Sequence, residues 1–230
     1  MRHPDGFHKL ALAALIATST LVIIVATAWV VRVVATRNTA QAAQSTNPAD
    51  YALGGFPLSG QLAPDFTLTD QFGHTVTLSS LRGHEVVLAF IDARCKTLCP
   101  LTAQIMYNAR AQLGATANGK IDLVAVNANP DATSVTEVQS WSISHGMLHQ
   151  WEFLTGPASQ LESIYHSYNV YDQVDASGNA QHEPITFIID AQGHERLSFE
   201  TLDSNNPADL KSQEIGLEAG MRQWLPRSQS

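Results

Sequence analysis

Beyond residue 37 the sequence is poor in basic residues. Nine Lys and Arg stand there against 20 Asp and Glu, a net of −11 within a chain total of −8. Nucleic-acid binding needs a basic face, so that balance argues against it. It is compatible with a basic partner or with metal cations. Cysteine is scarce too: two residues in 230 leave room for one disulfide at most. No internal repeat and no long low-complexity tract is present. The apolar fraction of 44% is ordinary for a globular protein, so the chain as a whole is not disordered. A chain of 230 residues holds one well-buried domain plus additional segments, and is too short for two ordinary domains.

One long apolar run stands out. Leu10 to Val31 is 22 residues without a charge, interrupted only by the hydroxyls of Thr18, Ser19, Thr20 and Thr27. A helix of that length spans roughly 33 Å, the thickness of a bilayer core. Trp29 suits the interfacial belt. The run is longer than the core of a secretory signal, although Ala40-Gln41-Ala42 resembles a small-residue cleavage site and keeps a cleaved signal as the alternative. The expected organisation is a short cytoplasmic tail at 1–9, a transmembrane anchor at 10–34, a linker rich in Ala, Gln, Ser, Asn and Gly at 35–60, and a folded domain at 61–228.

Within that domain strands and helices alternate. Phe66–Thr69 and Val76–Leu78 read as a hairpin around Asp70-Gln71-Phe72-Gly73, followed by a helical turn at Ser79–Gly83. Val86–Ile91 is a continuous apolar run, as expected of a strand buried on both faces. The spacing of Leu101, Ile105, Ala109 and Leu113 predicts a helix over Pro100–Leu113. A strand at Ile121–Val126, a helix at Ser134–His145 and a short strand at Trp151–Leu154 follow. Then come a helix at Pro157–Tyr168, a hairpin of Ile185–Ile189 with Arg196–Phe199, and a closing helix at Asn206–Leu225. Strands separated by helix-length segments imply an α/β fold with a parallel crossover, and the late hairpin implies a mixed sheet.

The two cysteines form Cys95-Lys96-Thr97-Leu98-Cys99, after a buried strand and before a helix opened by Pro100. Free amides of a first helical turn stabilise a thiolate, and the cations of Arg94 and Lys96 are expected to act in the same direction. A structural disulfide here would close too small a loop to restrict the unfolded chain much. A redox pair, or a grip on one soft metal ion, accounts better for the placement.

In context these residues resemble the Sco/SenC family. The resemblance rests on Ala63-Pro64-Asp65-Phe66-Thr67-Leu68-Thr69-Asp70-Gln71-Phe72-Gly73, Leu81-Arg82-Gly83, the strand ending at Phe90, and Cys95-Lys96-Thr97-Leu98-Cys99-Pro100. Leu154-Thr155-Gly156 and the block from His182 through Phe187-Ile188-Ile189-Asp190 to Gly193 continue it, so it covers roughly residues 60–225. It implies a thioredoxin-like fold with a mixed central sheet flanked by helices, held on an N-terminal transmembrane helix. It also implies one copper ion per chain, bound by Cys95, Cys99 and the distant His182, in a protein that assists assembly of a copper centre of a respiratory cytochrome oxidase. Two thiolates and one imidazole suit copper(I), and hold copper(II) with an added oxygen ligand.

The sequence departs from the family's pattern in three places. Lys96-Thr97 replaces the frequent Pro-Asp between the cysteines, Glu183 follows the histidine where Ser or Thr is usual, and Pro184 resembles the proline that approaches the disulfide in thioredoxin-type reductases. These lean toward redox chemistry and keep a membrane-anchored thiol–disulfide reductase without obligatory metal as the alternative. A peroxidase ranks last, since no peroxidatic pattern surrounds Cys95. The expected partner is the copper-site subunit of a respiratory oxidase or another copper or thiol protein. The expected location is a bacterial plasma membrane, with the domain on the extracytoplasmic side. The remaining eight histidines have no motif around them; His3 and His8 lie in the tail, and the others default to surface or loop positions.

Overall fold

The computed structural model describes residues 55–117, 119–170, 173–174, 180–181, 184–204 and 206–226, all within a unit spanning Ser45–Ser230. The expected tail and anchor, His182 and Glu183 lie outside the described residues. Among the described residues no helix is long and apolar enough to cross a membrane.

The chain runs β1 (Phe56–Pro57), β2 (Thr67–Thr69), β3 (Thr75–Thr77), β4 (Glu85–Ile91), α1 (Leu98–Leu113), β5 (Ile121–Asn127), α2 (Val135–Ser144), β6 (Glu152–Leu154) and α3 (Ala158–Ser167). It continues with β7 (Gln173–Val174), β8 (Ala180–Gln181), β9 (Ile185–Ile189), β10 (Glu195–Glu200) and α4 (Pro207–Trp224). Six strands form one sheet in the order β1-β10-β9-β4-β5-β6. β4, β5 and β6 are mutually parallel, whereas β9 runs antiparallel to both β4 and β10. The mixed sheet expected from the alternation is present. β1 corrects the linker boundary: Phe56 and Pro57 pair with Ser198 and Leu197, so the sheet begins inside the stretch read as linker. The small β7–β8 hairpin was not foreseen.

β4 is central because both of its faces are covered. All seven residues are buried, and Val87, Leu88, Ala89 and Ile91 are fully inaccessible. Val87, Ala89 and Ile91 face a core shared with Ile105, Met106 and Ala109 of α1, Leu217 and Met221 of α4, and Trp141 of α2. Val86, Leu88 and Phe90 face the opposite core, built from Phe66, Leu68, Leu161, Tyr165 and Tyr168. Each fully buried Val, Leu, Ile, Phe or Met among them contributes roughly 1.5–3 kcal/mol by leaving water. α4 packs closely because Gly220 lacks a Cβ; one placed there would meet Ile188 Cδ1 at 2.8 Å and Phe199 Cζ at 2.9 Å.

Helix boundaries refine the sequence reading. α2 begins with a complete capping box: Ser134 Oγ accepts the Glu137 N–H, and the Glu137 carboxylate accepts from the Ser134 backbone. On this helix Ile143 is 59% exposed although apolar. Ser142 is buried instead, because its hydroxyl accepts the indole N–H of Trp151.

Candidate redox and metal site

β4 delivers the chain to the end of the sheet, where residues 92–97 cross into α1. The crossing is held by Asp92, itself buried. Its Oδ1 accepts the Arg94 backbone N–H at 2.7 Å and the Asn129 side-chain amide at 2.9 Å, and its carbonyl accepts the Cys95 N–H at 3.1 Å. Sequence reasoning missed Asp92 and Asn129. The available signal was an Asx residue at the exit of each of two neighbouring parallel strands, where such side chains bond their own backbone two residues on.

α1 begins at Leu98, two residues earlier than expected, so Cys99 is its second residue and Pro100 its third. That position still carries no intrahelical donor, and proline costs nothing there. The N-cap residue Thr97 supplies no side-chain hydrogen bond to the helix. The sulfur of Cys95 takes that place, accepting the Cys99 N–H at 3.4 Å. Thr97 Oγ1 lies 3.7 Å from the same sulfur.

Both cysteines are free thiols. Cys99 is 2% exposed, while Cys95 is partly accessible. The Cys99 thiol donates to the Cys95 sulfur, and that bond is the largest cause lowering the Cys95 pKa to about 5; the backbone N–H groups of Thr97 and Cys99 add to it, and burial opposes it. Cys99 moves the other way, because it gives that hydrogen bond, is buried, and faces the negative charge of Cys95. At neutral pH the pair is therefore an accessible thiolate supported by a buried thiol. Arg94 does not act as expected. Its guanidinium turns from the sulfurs to α2, reaching Glu137 Oε1 and the Asp131 carbonyl at 2.8 and 2.7 Å.

The segment that enters β9 arrives at this same end of the sheet. β9 is antiparallel to β4, with Thr186 opposite Ala89. The Pro184 carbonyl accepts the Thr201 N–H at 3.1 Å, and Thr102 of α1 donates to Thr201 Oγ1 at 2.8 Å. Among the described residues, no group of three His, Cys, Asp or Glu could hold a metal ion. His74, His84, His145, His149 and His166 are exposed, as expected for surface positions. His194 is half-buried beside Asp190.

A strand, a cysteine-bearing loop and a helix capped by sulfur are arranged here on a mixed sheet, and a family model described as SCO1/SenC matches residues 57–214. The chain belongs to the SCO1/SenC family. Solved Sco structures show the same thioredoxin-like fold. Copper-bound ScoI of Arabidopsis thaliana is 18% identical, with a TM-score of 0.60 over 71% of this chain and 100% of that one. Copper-bound ScoI of Bradyrhizobium japonicum is 20% identical, with a TM-score of 0.57 over 72% and 100%. BsSco, described as a member of the Sco family of cytochrome c oxidase assembly proteins with a disulfide switch, is 23% identical, with a TM-score of 0.54 over 69% and 95%. No curated protein matches the chain.

Proposed function

We propose that this SCO1/SenC protein binds one copper ion through Cys95, Cys99 and His182 and serves assembly of a copper centre of a respiratory cytochrome oxidase. The observation that carries this reading is the placement of both cysteines at the first turn of α1, where the Cys95 sulfur, held as a thiolate, accepts the Cys99 N–H at 3.4 Å. Two soft sulfur donors with a negative charge at neutral pH fit copper(I). The described residues supply no third donor. His182 stands two residues before Pro184, whose carbonyl is tied through Thr201 to α1, and this favours its imidazole as that donor. The two ScoI relatives described with copper bound, and the oxidase-assembly description of BsSco, support the same reading. Copper is cargo in this account. The expected anchor at 10–34 would keep the domain at the extracytoplasmic membrane surface, within reach of an oxidase subunit.

A second reading is favoured by the asymmetry of the thiols. An accessible thiolate beside a buried thiol is suited to attack a partner's disulfide. Cys95 sulfur would form a mixed disulfide and release one partner thiolate. The Cys99 sulfur, giving up its proton, would then displace the second and leave the Cys95–Cys99 disulfide. Two electrons and the Cys99 proton pass to the partner, whose other thiolate takes its proton from water.

The test is copper stoichiometry in both redox states. The dithiol should bind one copper ion per chain, and the disulfide none. A protein that cycles reversibly yet takes no copper would be a thiol reductase on the same fold.

A further inference from the structure

Arg94 is tethered at both ends, and both tethers bear on the neighbouring Cys95. Its backbone N–H is fixed on Asp92, while its guanidinium crosses to α2. The acceptor there, Glu137, also closes the α2 capping box through its other oxygen, Oε2, which accepts from Ser134 Oγ at 2.8 Å. The Asp131 carbonyl, the second acceptor, belongs to a turn whose Asp131 N–H is held by Asn129 Oδ1 at 2.9 Å. Asn129 is the same residue that grips Asp92. The loop bearing Cys95 is thus fastened to the β5–α2 connection at two points, by Asp92 with Asn129 and by Arg94 with Asp131 and Glu137.

This fastening matters because α1 has no ordinary cap. Thr97 gives no side-chain bond, so the position of the Cys95 sulfur over the first turn depends on its loop. In the dithiol the Cys95 sulfur accepts the Cys99 N–H at 3.4 Å, and no covalent bond joins the two sulfurs. A disulfide requires about 2 Å between them, so closing it brings the Cys95 sulfur onto Cys99 of α1 and loads the loop that the bridge holds. We infer that the Arg94 bridge to Asp131 and Glu137 is a positioning device that holds the cysteine pair in its open, dithiol arrangement against disulfide closure. The inference rests on the redox reading of the pair given above. The reaction it biases is balanced: the Cys95 thiolate and the Cys99 thiol give up two electrons and one proton to oxidised glutathione, which takes its second proton from water and becomes two molecules of reduced glutathione as the Cys95–Cys99 bond forms.

Arg94→Met removes the bridge while keeping an aliphatic stem. Glu137→Ala removes one acceptor from a distance. An exposed tether of this kind is weak, so the expected effect is modest. In a glutathione buffer the disulfide-to-dithiol ratio should rise about fivefold in Arg94→Met, about 20 mV at 29.6 mV per tenfold change. Glu137→Ala should shift it in the same direction by less, and the double variant should match Arg94→Met. Ser134→Ala, which opens the capping box but leaves the bridge, should leave the ratio unchanged. Amide hydrogen exchange at Cys95 should accelerate in Arg94→Met and Glu137→Ala, with the amides of β4 unaffected.

A shift in Arg94→Met alone would mean that the guanidinium acts by charge, and would overturn the inference. Additive shifts would do the same, as would a Ser134→Ala shift equal to that of Glu137→Ala. Unchanged exchange at Cys95 would show that the bridge holds nothing. If the wild type formed no disulfide even in strongly oxidising buffer, the redox reading itself would fail. The exchange arm would still decide whether the bridge holds the loop.

Discussion

Replacing Glu85 by Gln should stabilise the fold by an amount that grows with pH. Glu85 opens β4 and is fully buried, and neither of its carboxylate oxygens has a hydrogen-bond partner. Burial above all, and then the charge of Asp190, push its pKa from 4.5 to about 9. The folded state therefore keeps a proton that the unfolded chain releases. The sign follows: stability is intact below the unfolded value of 4.5 and falls as pH rises toward 9. At pH 7 the wild type carries a cost of about 3 kcal/mol, at roughly 1.4 kcal/mol per pH unit above the unfolded value. Gln keeps the shape and stays neutral throughout, so that cost disappears. Urea unfolding followed by tryptophan fluorescence at several pH values would measure the difference. The two proteins should agree near pH 4.5 and separate to about 3 kcal/mol at pH 7. Titration of all other groups cancels in the comparison. A difference independent of pH would refute the reasoning, because it would mean that Glu85 does not change protonation on folding.

Three further outcomes are expected. Iodoacetamide should label Cys95 and spare buried Cys99, with a rate that is flat above about pH 6 and falls through pH 5, following the lowered Cys95 pKa; equal labelling of both cysteines would contradict the asymmetry. Gly220→Ala should cost about 1–3 kcal/mol by overpacking α4 against Ile188 and Phe199, seen as a lower thermal midpoint; an unchanged midpoint would show that α4 can shift freely. An alkaline phosphatase fusion at the C-terminus should be active and membrane-bound, whereas activity found only in the soluble extracytoplasmic fraction would mean a cleaved signal.

Much of the fold was legible because its local signals agree. The run Val86–Ile91 is apolar on both faces because β4 lies between two cores, and the hairpin at Ala191-Gln192-Gly193 declares itself through Gly193, whose φ is +90°. The short pairings were not legible. β1 is two residues long and owes its existence to the open edge of β10 rather than to its own pattern. Start signals also misled: Pro100 marked the helix, but the helix begins before it, because a thiol sulfur replaced the usual capping oxygen. At the site, the cysteine pair followed from spacing and context. The source of its acidity did not. The sequence pointed to Arg94 and Lys96 as neighbouring charges, whereas the fold lowers the Cys95 pKa with hydrogen bonds and spends Arg94 on α2. Asp92 and Asn129 were missed because their meeting depends on the parallel pairing of β4 with β5, 37 residues apart in sequence.

The central claim is tested most directly by titrating copper into the reduced protein beside Cys99→Ala and His182→Ala, with electron paramagnetic resonance of the copper(II) forms. The account predicts one copper ion per wild-type chain and near loss of binding in Cys99→Ala. His182→Ala should retain copper(I) at weaker affinity and show an altered copper(II) spectrum with a larger loss of affinity, since copper(II) favours nitrogen and oxygen donors. Indistinguishable affinities and spectra for wild type and His182→Ala would remove His182 from the site, and a reduced wild type without stoichiometric copper would contradict the copper-carrier reading outright.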